Sequence, residues 1–241
     1  MKRLRAVKPG WYLLGFFILY SLVATVALTR AERVNRDLRA PPLETVAETP
    51  PEVAPTGLWF PVPGASLPQT AAYLPGADRA YRRGVNQGFD FYGEDAGIPI
   101  QYGTPVVAAA DGVVTRADSA YSELGADAWD TLLKEVFENG AGDEQLDRLR
   151  GRQLWLQTDD GLSLRYGHLS SLGAGIALDA PVYRGQVVGF VGNSGTDDGV
   201  TGTTRGARLH FEVWRPDGTF FGQEMTEETL RSAADTLFVG P

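Results

Sequence analysis

The sequence predicts an all-β domain, an antiparallel sheet or sandwich with a helical insertion, behind an N-terminal transmembrane helix. Three observations predict it. Short apolar or alternating runs recur between residues 103 and 218, separated by turns that contain glycine. Residues 119–150 interrupt them with a helical period. Residues 11–29 hold 19 positions without a charge.

The N-terminal segment reads WYLLGFFILYSLVATVALT over residues 11–29. A membrane span needs about 20 apolar residues. Lys2, Arg3, Arg5 and Lys8 precede it, and Trp11 and Tyr12 stand where an interfacial aromatic belt would lie. Residues 1–10 are then a cytoplasmic tail and residues 11–29 an anchor in the cell membrane. The competing reading is a cleaved signal peptide with a weak site after Ala27, although its apolar region usually runs to about 7–15 residues. Four basic residues also follow the span (Arg30, Arg33, Arg36, Arg39), so the charge rule nearly ties. The short N-terminal tail favours a single pass with the body outside the cytoplasm. Residues 30–57 form a Pro-rich linker, with five prolines and no basic residue between 40 and 57.

The body, residues 58–241, divides at its turns. Residues 103–117 (GTPVVAAADGVVTRA) read as a hairpin about Asp111-Gly112. Residues 153–159 alternate, and Asp160-Gly161 turns the chain into LSLRYGHL as a second hairpin. Arg184-Gly185 is a turn before VVGFV. Residues 209–214 (LHFEVW) alternate again ahead of Asp217-Gly218. Between strands, residues 126–138 place Trp129, Leu132, Leu133, Val136 and Phe137 at helical spacing, ended by Asn139-Gly140, and 143–150 start another helix. That apolar stripe reads as a docking face onto the sheet, with a partner surface as the alternative.

Composition sets limits on function. The chain has 241 residues, 22 basic and 30 acidic, for a net charge of -8. Eight of the basic residues lie within 1–39, which leaves 14 basic and 28 acidic residues in 40–241. So acidic a body is a poor nucleic-acid binder, and no nucleic-acid partner is expected. There is no cysteine, and His168 and His210 are the two histidines. Thiolate sites, and sites built on three imidazoles, are excluded.

Alternation puts Arg208, His210 and Glu212 on one face of a strand, with Leu209, Phe211 and Val213 on the core face. Asp90 lies between Phe89 and Phe91, so its carboxylate faces away from them. His168 sits at a hairpin exit. Glu94 and Asp95 follow Asp90 closely and read as a solvated turn.

The ordered blocks NQGFDFYG, YGTPVVAAADGVVTRAD, YGHLSSL, YRGQVVGFVGNSG and RLHFEVWRPDG, within residues 80–222, resemble the LytM/lysostaphin-like zinc metallopeptidases. Members of that family cut peptide cross-links in peptidoglycan. The resemblance implies an antiparallel β domain with a groove between loops. It also implies zinc ligands at Asp90 and His210 and a catalytic His168. Asn86 stands where the family has a zinc-ligating histidine, and Arg208 where it has a histidine that serves the reaction. Catalytic zinc usually takes three protein ligands plus water. An amide oxygen is a weak donor beside imidazole, and a guanidinium is no base at neutral pH. The expectation is therefore a degenerate member with no cofactor, Arg208 pairing with Asp90 or Glu212 in the vacated space. Glu212 is counted among the groove residues. The resemblance implies binding of peptidoglycan, or regulation and scaffolding of a cell-wall hydrolase or membrane complex. The alternatives are an active zinc endopeptidase with a hidden third ligand, and a structural extracytoplasmic module. Restoring both histidines is expected to create zinc binding.

Overall fold

The structure is a computed structural model and describes residues 57–240. The anchor expected over 11–29 and, apart from Gly57, the linker expected over 30–57 lie outside the described residues. Among the described residues no helix is long and apolar enough to cross a membrane.

Among the described residues eleven strands occur in order: β1 Asp78–Arg79, β2 Gly84–Val85, β3 Phe89–Tyr92, β4 Pro105–Val107, β5 Gly112–Ala117, β6 Leu154–Gln157, β7 Ser163–Gly167, β8 Leu169–Leu172, β9 Pro181–Val182, β10 Val187–Val191 and β11 Arg208–Trp214. The main sheet has the order β3-β11-β7-β6-β5-β9, and a second sheet has the order β4-β10-β8. Every pairing between these strands is antiparallel. The sequence-predicted antiparallel β architecture is thus the one observed.

One core joins both sheets. From the main sheet come Phe89, Phe91, Leu154, Leu156, Leu164, Tyr166, Leu209 and Phe211, and from the second Val106, Leu169, Val188 and Val191. Alternation along β11 and β3 puts the core side chains on one face, which leaves Asp90, His210 and Glu212 on the other.

The hairpin expected over 103–117 does not form. β4 pairs with β10, whereas β5 pairs with β6 and β9 in the other sheet. The linking alanines explain this. Ala108 and Ala109 are buried, and their N–H groups donate to Gln186 O and to the Tyr166 hydroxyl. They carry the chain across the core instead of turning it back. The second predicted hairpin is present as β6–β7, Leu154 opposite Tyr166 and Gln157 opposite Ser163.

The insertion folds as α1 Ala126–Asn139 and α2 Asp143–Leu149. Gly140, at φ +86°, ends α1 by donating to Val136 O. The stripe does not dock on the sheet core as expected. Trp129, Leu132, Val136 and Leu149 bury each other in a separate cluster, with Leu124, Leu133, Ala141 and Val200 at its edge. Val200 ends the short helix α3 Asp197–Val200, and the Trp129 indole N–H donates to Asp197 there. Phe137 stays 67% exposed.

A last helix, α4 Glu227–Leu237, lays Leu230, Ala234 and Leu237 into the main core. The strand reading stops at Asp217-Gly218 and does not foresee it. Its signals are local: the Thr226 hydroxyl caps the helix by accepting from Thr229 N–H, and Glu227 and Glu228 fill the first turn.

Where the insertion rejoins the sheet, two backbones touch. Gly151 has φ +66°, and a Cβ there would stand 2.2 Å from the Ser194 carbonyl oxygen. Ser194 in turn positions His168. Gly151→Ala is expected to destabilise the fold by more than about 2 kcal/mol, as both the left-handed backbone and the contact resist a methyl group. Urea denaturation measures it, and a change below about 0.5 kcal/mol would show that the loop yields.

Candidate functional site

β3 and β11 lie side by side with His210 directly opposite Asp90. That register brings two of the sequence-predicted residues together without any loop. His210 Nδ1 is 2.7 Å from Asp90 Oδ1, and its Nε2 is 2.9 Å from Glu212 Oε1. Both partners are acceptors, so the ring carries two protons and is an imidazolium. Burial alone would lower the pKa of His210, but the two carboxylates outweigh it and raise it. Burial alone would raise Asp90 and Glu212; His210 and neighbouring guanidinium groups hold both carboxyls well below the usual range.

Those neighbours differ from the expectation. Arg208 pairs with neither carboxylate. Among the described residues its guanidinium makes one hydrogen bond, to Gly206 O at 3.4 Å. Arg79 takes Asp90 instead, at 2.8 Å to Oδ2, and Arg150 takes Glu212, at 2.6 Å to Oε1. Arg150 also donates to Gln87 Oε1 at 2.6 Å. Reach explains the exchange. Arg79 stands on β1 and Arg150 at the end of α2, each aimed across the sheet face. Arg208 heads β11 at the groove edge, and from there its charge still lowers the pKa of Asp90 and of His168. Glu212 does not line the groove as expected. It is 1% exposed and lies behind His210, where it also accepts from the Trp214 indole N–H.

Asn86 is buried and turns its amide nitrogen towards the site. Nδ2 donates to Leu74 O and to Asp90 Oδ2, both at 3.2 Å. Two acceptors on one atom fix the amide's orientation, so a donor stands at the position where the resemblance implies a metal ligand. Glu94 and Asp95 stay out of the groove; Asp95 accepts from the Thr70 N–H and hydroxyl.

His168 follows β7 with φ +58°, an uncommon conformation for a residue with a side chain. Its N–H donates to Arg150 O at 2.7 Å. Nδ1 faces Ser194 O at 2.7 Å, so that nitrogen carries the proton and the Nε2 lone pair is free. The two histidine rings are 6.0 Å apart. Burial, then the charges of Arg208 and His210, push His168 well below its ordinary pKa. A lowered histidine stabilises the fold above the unfolded value of about 6.5, and the contribution is lost as pH falls from there towards the folded value. Stability is expected to drop between pH 6.5 and 5, and His168→Asn should flatten that slope in pH-dependent urea melts.

Above these residues opens a groove of about 620 Å³. His168, His210, Asp90 and Asn86 line it, the insertion contributes Trp129, Leu133 and Phe137, and Arg79, Arg82, Arg150 and Arg208 reach it. The site reading missed Arg79, Arg82 and Arg150. The available signal was the crowding of Arg79, Arg82 and Arg83 in an acidic body.

The donor set does not fit the zinc that the resemblance implies. It supplies one carboxylate and one imidazole already bound to each other, and an amide N–H. Among the described residues no three His, Cys, Asp or Glu side chains gather as a metal site.

Fold and site together define an antiparallel β domain with a groove floored by Asp90 and His210. Residues 136–223 match the family model described as Peptidase family M23, and the resemblance read from the sequence holds over that segment. The match begins within α1, so Asn86 and Asp90 lie outside it. A search of curated proteins finds no match. Solved structures similar to this chain include a zinc containing peptidase from Vibrio cholerae, at 20% identity over 68% of this chain and 38% of that one, TM-score 0.43. The catalytic domain of lysostaphin from Staphylococcus simulans is similar at 20% identity over 67% and 90%, TM-score 0.39. Csd3 from Helicobacter pylori is similar at 20% identity over 68% and 33%, TM-score 0.39. This chain spans about a third of the Csd3 chain and well under half of the Vibrio one.

Proposed function

We propose that this protein is a membrane-anchored, extracytoplasmic LytM-type domain that does not cut its ligand. It uses the groove to bind peptidoglycan or to scaffold a cell-wall hydrolase. The observation that supports this reading is the state of His210. Both ring nitrogens are committed to carboxylates, and the neighbouring position offers the Asn86 amide nitrogen. Hydrolysis in this family needs a metal to acidify water towards a pKa of about 7. Arg208, the fixed cation at the third motif, takes no proton from water.

His168 retains a free lone pair, and a base without an activated nucleophile serves recognition: Nε2 accepts a hydrogen bond from a ligand N–H. β3, β11 and the ion pairs behind them hold the floor of the groove, so its shape rests on the protein's own side chains.

The test has two parts. The protein, dialysed against zinc, is expected to carry much less than one zinc per chain. It is expected to be retained on purified peptidoglycan sacculi without releasing soluble peptides. About one zinc per chain with released peptides would replace this reading by the zinc endopeptidase. Absence of retention would leave a structural module of a membrane complex.

A further inference from the structure

We propose that the groove recognises the free carboxylate end of a peptide, with Arg208 and Arg82 as anion anchors and the edge of the insertion as a seat for an apolar side chain. This rests on the reading of the groove as a binding site and names what it binds.

The charges around the groove pair off unequally. Arg79 is neutralised by Asp90 and Arg150 by Glu212. Asp198 is met by Arg205, and Asp197 accepts the Trp129 indole N–H. Of the four arginines that line the groove, that leaves Arg82 and Arg208 without an ion-pair partner among the described residues. Arg82 is 9% exposed, donates to Val85 O, and its Nε has no partner at all. A buried guanidinium without a counter-charge is costly, and an arriving anion relieves that cost. Arg208, half-buried at the groove edge, holds a 3.4 Å contact with Gly206 O.

A carboxylate suits these partners. It is acceptor-only, and guanidinium is donor-only with a planar fork that matches it. The body as a whole is acidic, with 28 acidic against 14 basic residues from 40 onward, so no general field draws anions to it. The attraction is local to this groove.

The remaining walls describe the rest of the ligand. Phe137 is 67% exposed and Tyr81 49%, and Leu133 and Trp129 line the same space. The free Nε2 of His168 accepts an amide N–H. The volume of about 620 Å³ suits a short peptide. Backbone N–H, apolar side chain and terminal carboxylate thus each find a complement, and a bare anion uses one of the three.

The experiment is calorimetry on the full chain in detergent. The probe is acetyl-alanyl-alanine as free acid and as C-terminal amide, in L,L and D,D forms, with acetate as a competitor. The free acid of one form is expected to bind at least about tenfold more tightly than its amide. Arg208→Gln should remove that preference without lowering the melting temperature, since Arg208 makes no ion pair. Phe137→Ala should weaken acid and amide together. Equal binding of acid and amide, no binding of either at millimolar concentration, or a preference that survives Arg208→Gln overturns the proposal. Competition by acetate as strong as that of the peptide overturns the peptide assignment. Retention on sacculi without acid preference defeats this inference and leaves the binding reading standing. Acid preference without retention does the reverse.

Discussion

Glu212→Ala is expected to destabilise the protein by about 3–5 kcal/mol, the range for removing one member of a buried ion network. Glu212 sits at 1% exposure among cationic and donor groups: Arg150 at 2.6 Å, His210 at 2.9 Å, the Trp214 indole and, at 3.8 Å, Arg165. Removing it takes the counter-charge from the buried Arg150 guanidinium and the acceptor from His210 Nε2, and leaves His210 with Asp90 alone. The loss also spreads along the sheet face. Arg165 lies 4.0 Å from the Trp155 ring and 4.4 Å from the Trp214 ring, and Arg116 stacks on Trp155 at 5.1 Å. Among the described residues Glu212 is the one carboxylate within ion-pair distance of Arg165. Glu212→Gln keeps acceptor oxygen and shape while losing charge, and should cost less, about 2–3 kcal/mol. Urea midpoints at pH 7 measure both. A cost below about 1 kcal/mol for alanine would mean that the network is solvated and the buried-charge argument fails.

The sequence shows the main sheet clearly because alternation is a local signal. Leu209, Phe211 and Val213 could face only one way once His210 and Glu212 faced the other. Asp90 was placed by its two phenylalanine neighbours in the same manner. The insertion was equally legible, its bounds set by a change of period and by Asn139-Gly140. The hairpin at 103–117 misled because Asp-Gly marks a turn of chain direction and not which strand comes next to which. Buried alanines crossing between sheets give the same local pattern. The site's chemistry was half legible. The residue types at Asn86 and Arg208 could be read against the family pattern, and both depart from it. Nothing local told that Arg79, 11 residues before Asp90, and Arg150, 62 before Glu212, would supply the counter-charges. Long-range pairing of charges depends on where β1 and α2 end, and that is a tertiary fact. The prediction that Arg208 would fill the gap failed for the same reason. An arginine at the head of a strand points along its edge, and two better-placed guanidinium groups had already satisfied the carboxylates.

That arrangement makes restoration of a metal site a sharp test of how much of the centre survives. Metal-binding histidines usually give their second N–H to a carboxylate, and ligating carboxylates are themselves hydrogen-bonded. Here Glu212 holds His210 Nε2, and Arg79 holds Asp90 Oδ2. If Asp90 and His210 are the ligand positions that the resemblance implies, both stand with such outer supports, and a third ligand is what a metal site would need. Asn86→His supplies an imidazole at a position now within 3.2 Å of Asp90. Arg208→His removes the fixed cation whose charge reaches Asp90 and would oppose zinc. The double variant is expected to bind one zinc per chain with a dissociation constant of micromolar or tighter, about 8 kcal/mol or more. Asn86→His alone should bind more weakly, because Arg208 remains. Adding Glu212→Gln to the double variant should weaken zinc by about 10–100-fold, the usual effect of losing an outer support. Bound zinc at 100 times its dissociation constant adds about 2.7 kcal/mol to stability, so thermal melting reports it beside elemental analysis. A double variant that folds and stays metal-free at millimolar zinc would show that Asn86 does not occupy the ligand position. The ion pairs would then be an independent construction and not the supports of a lost metal.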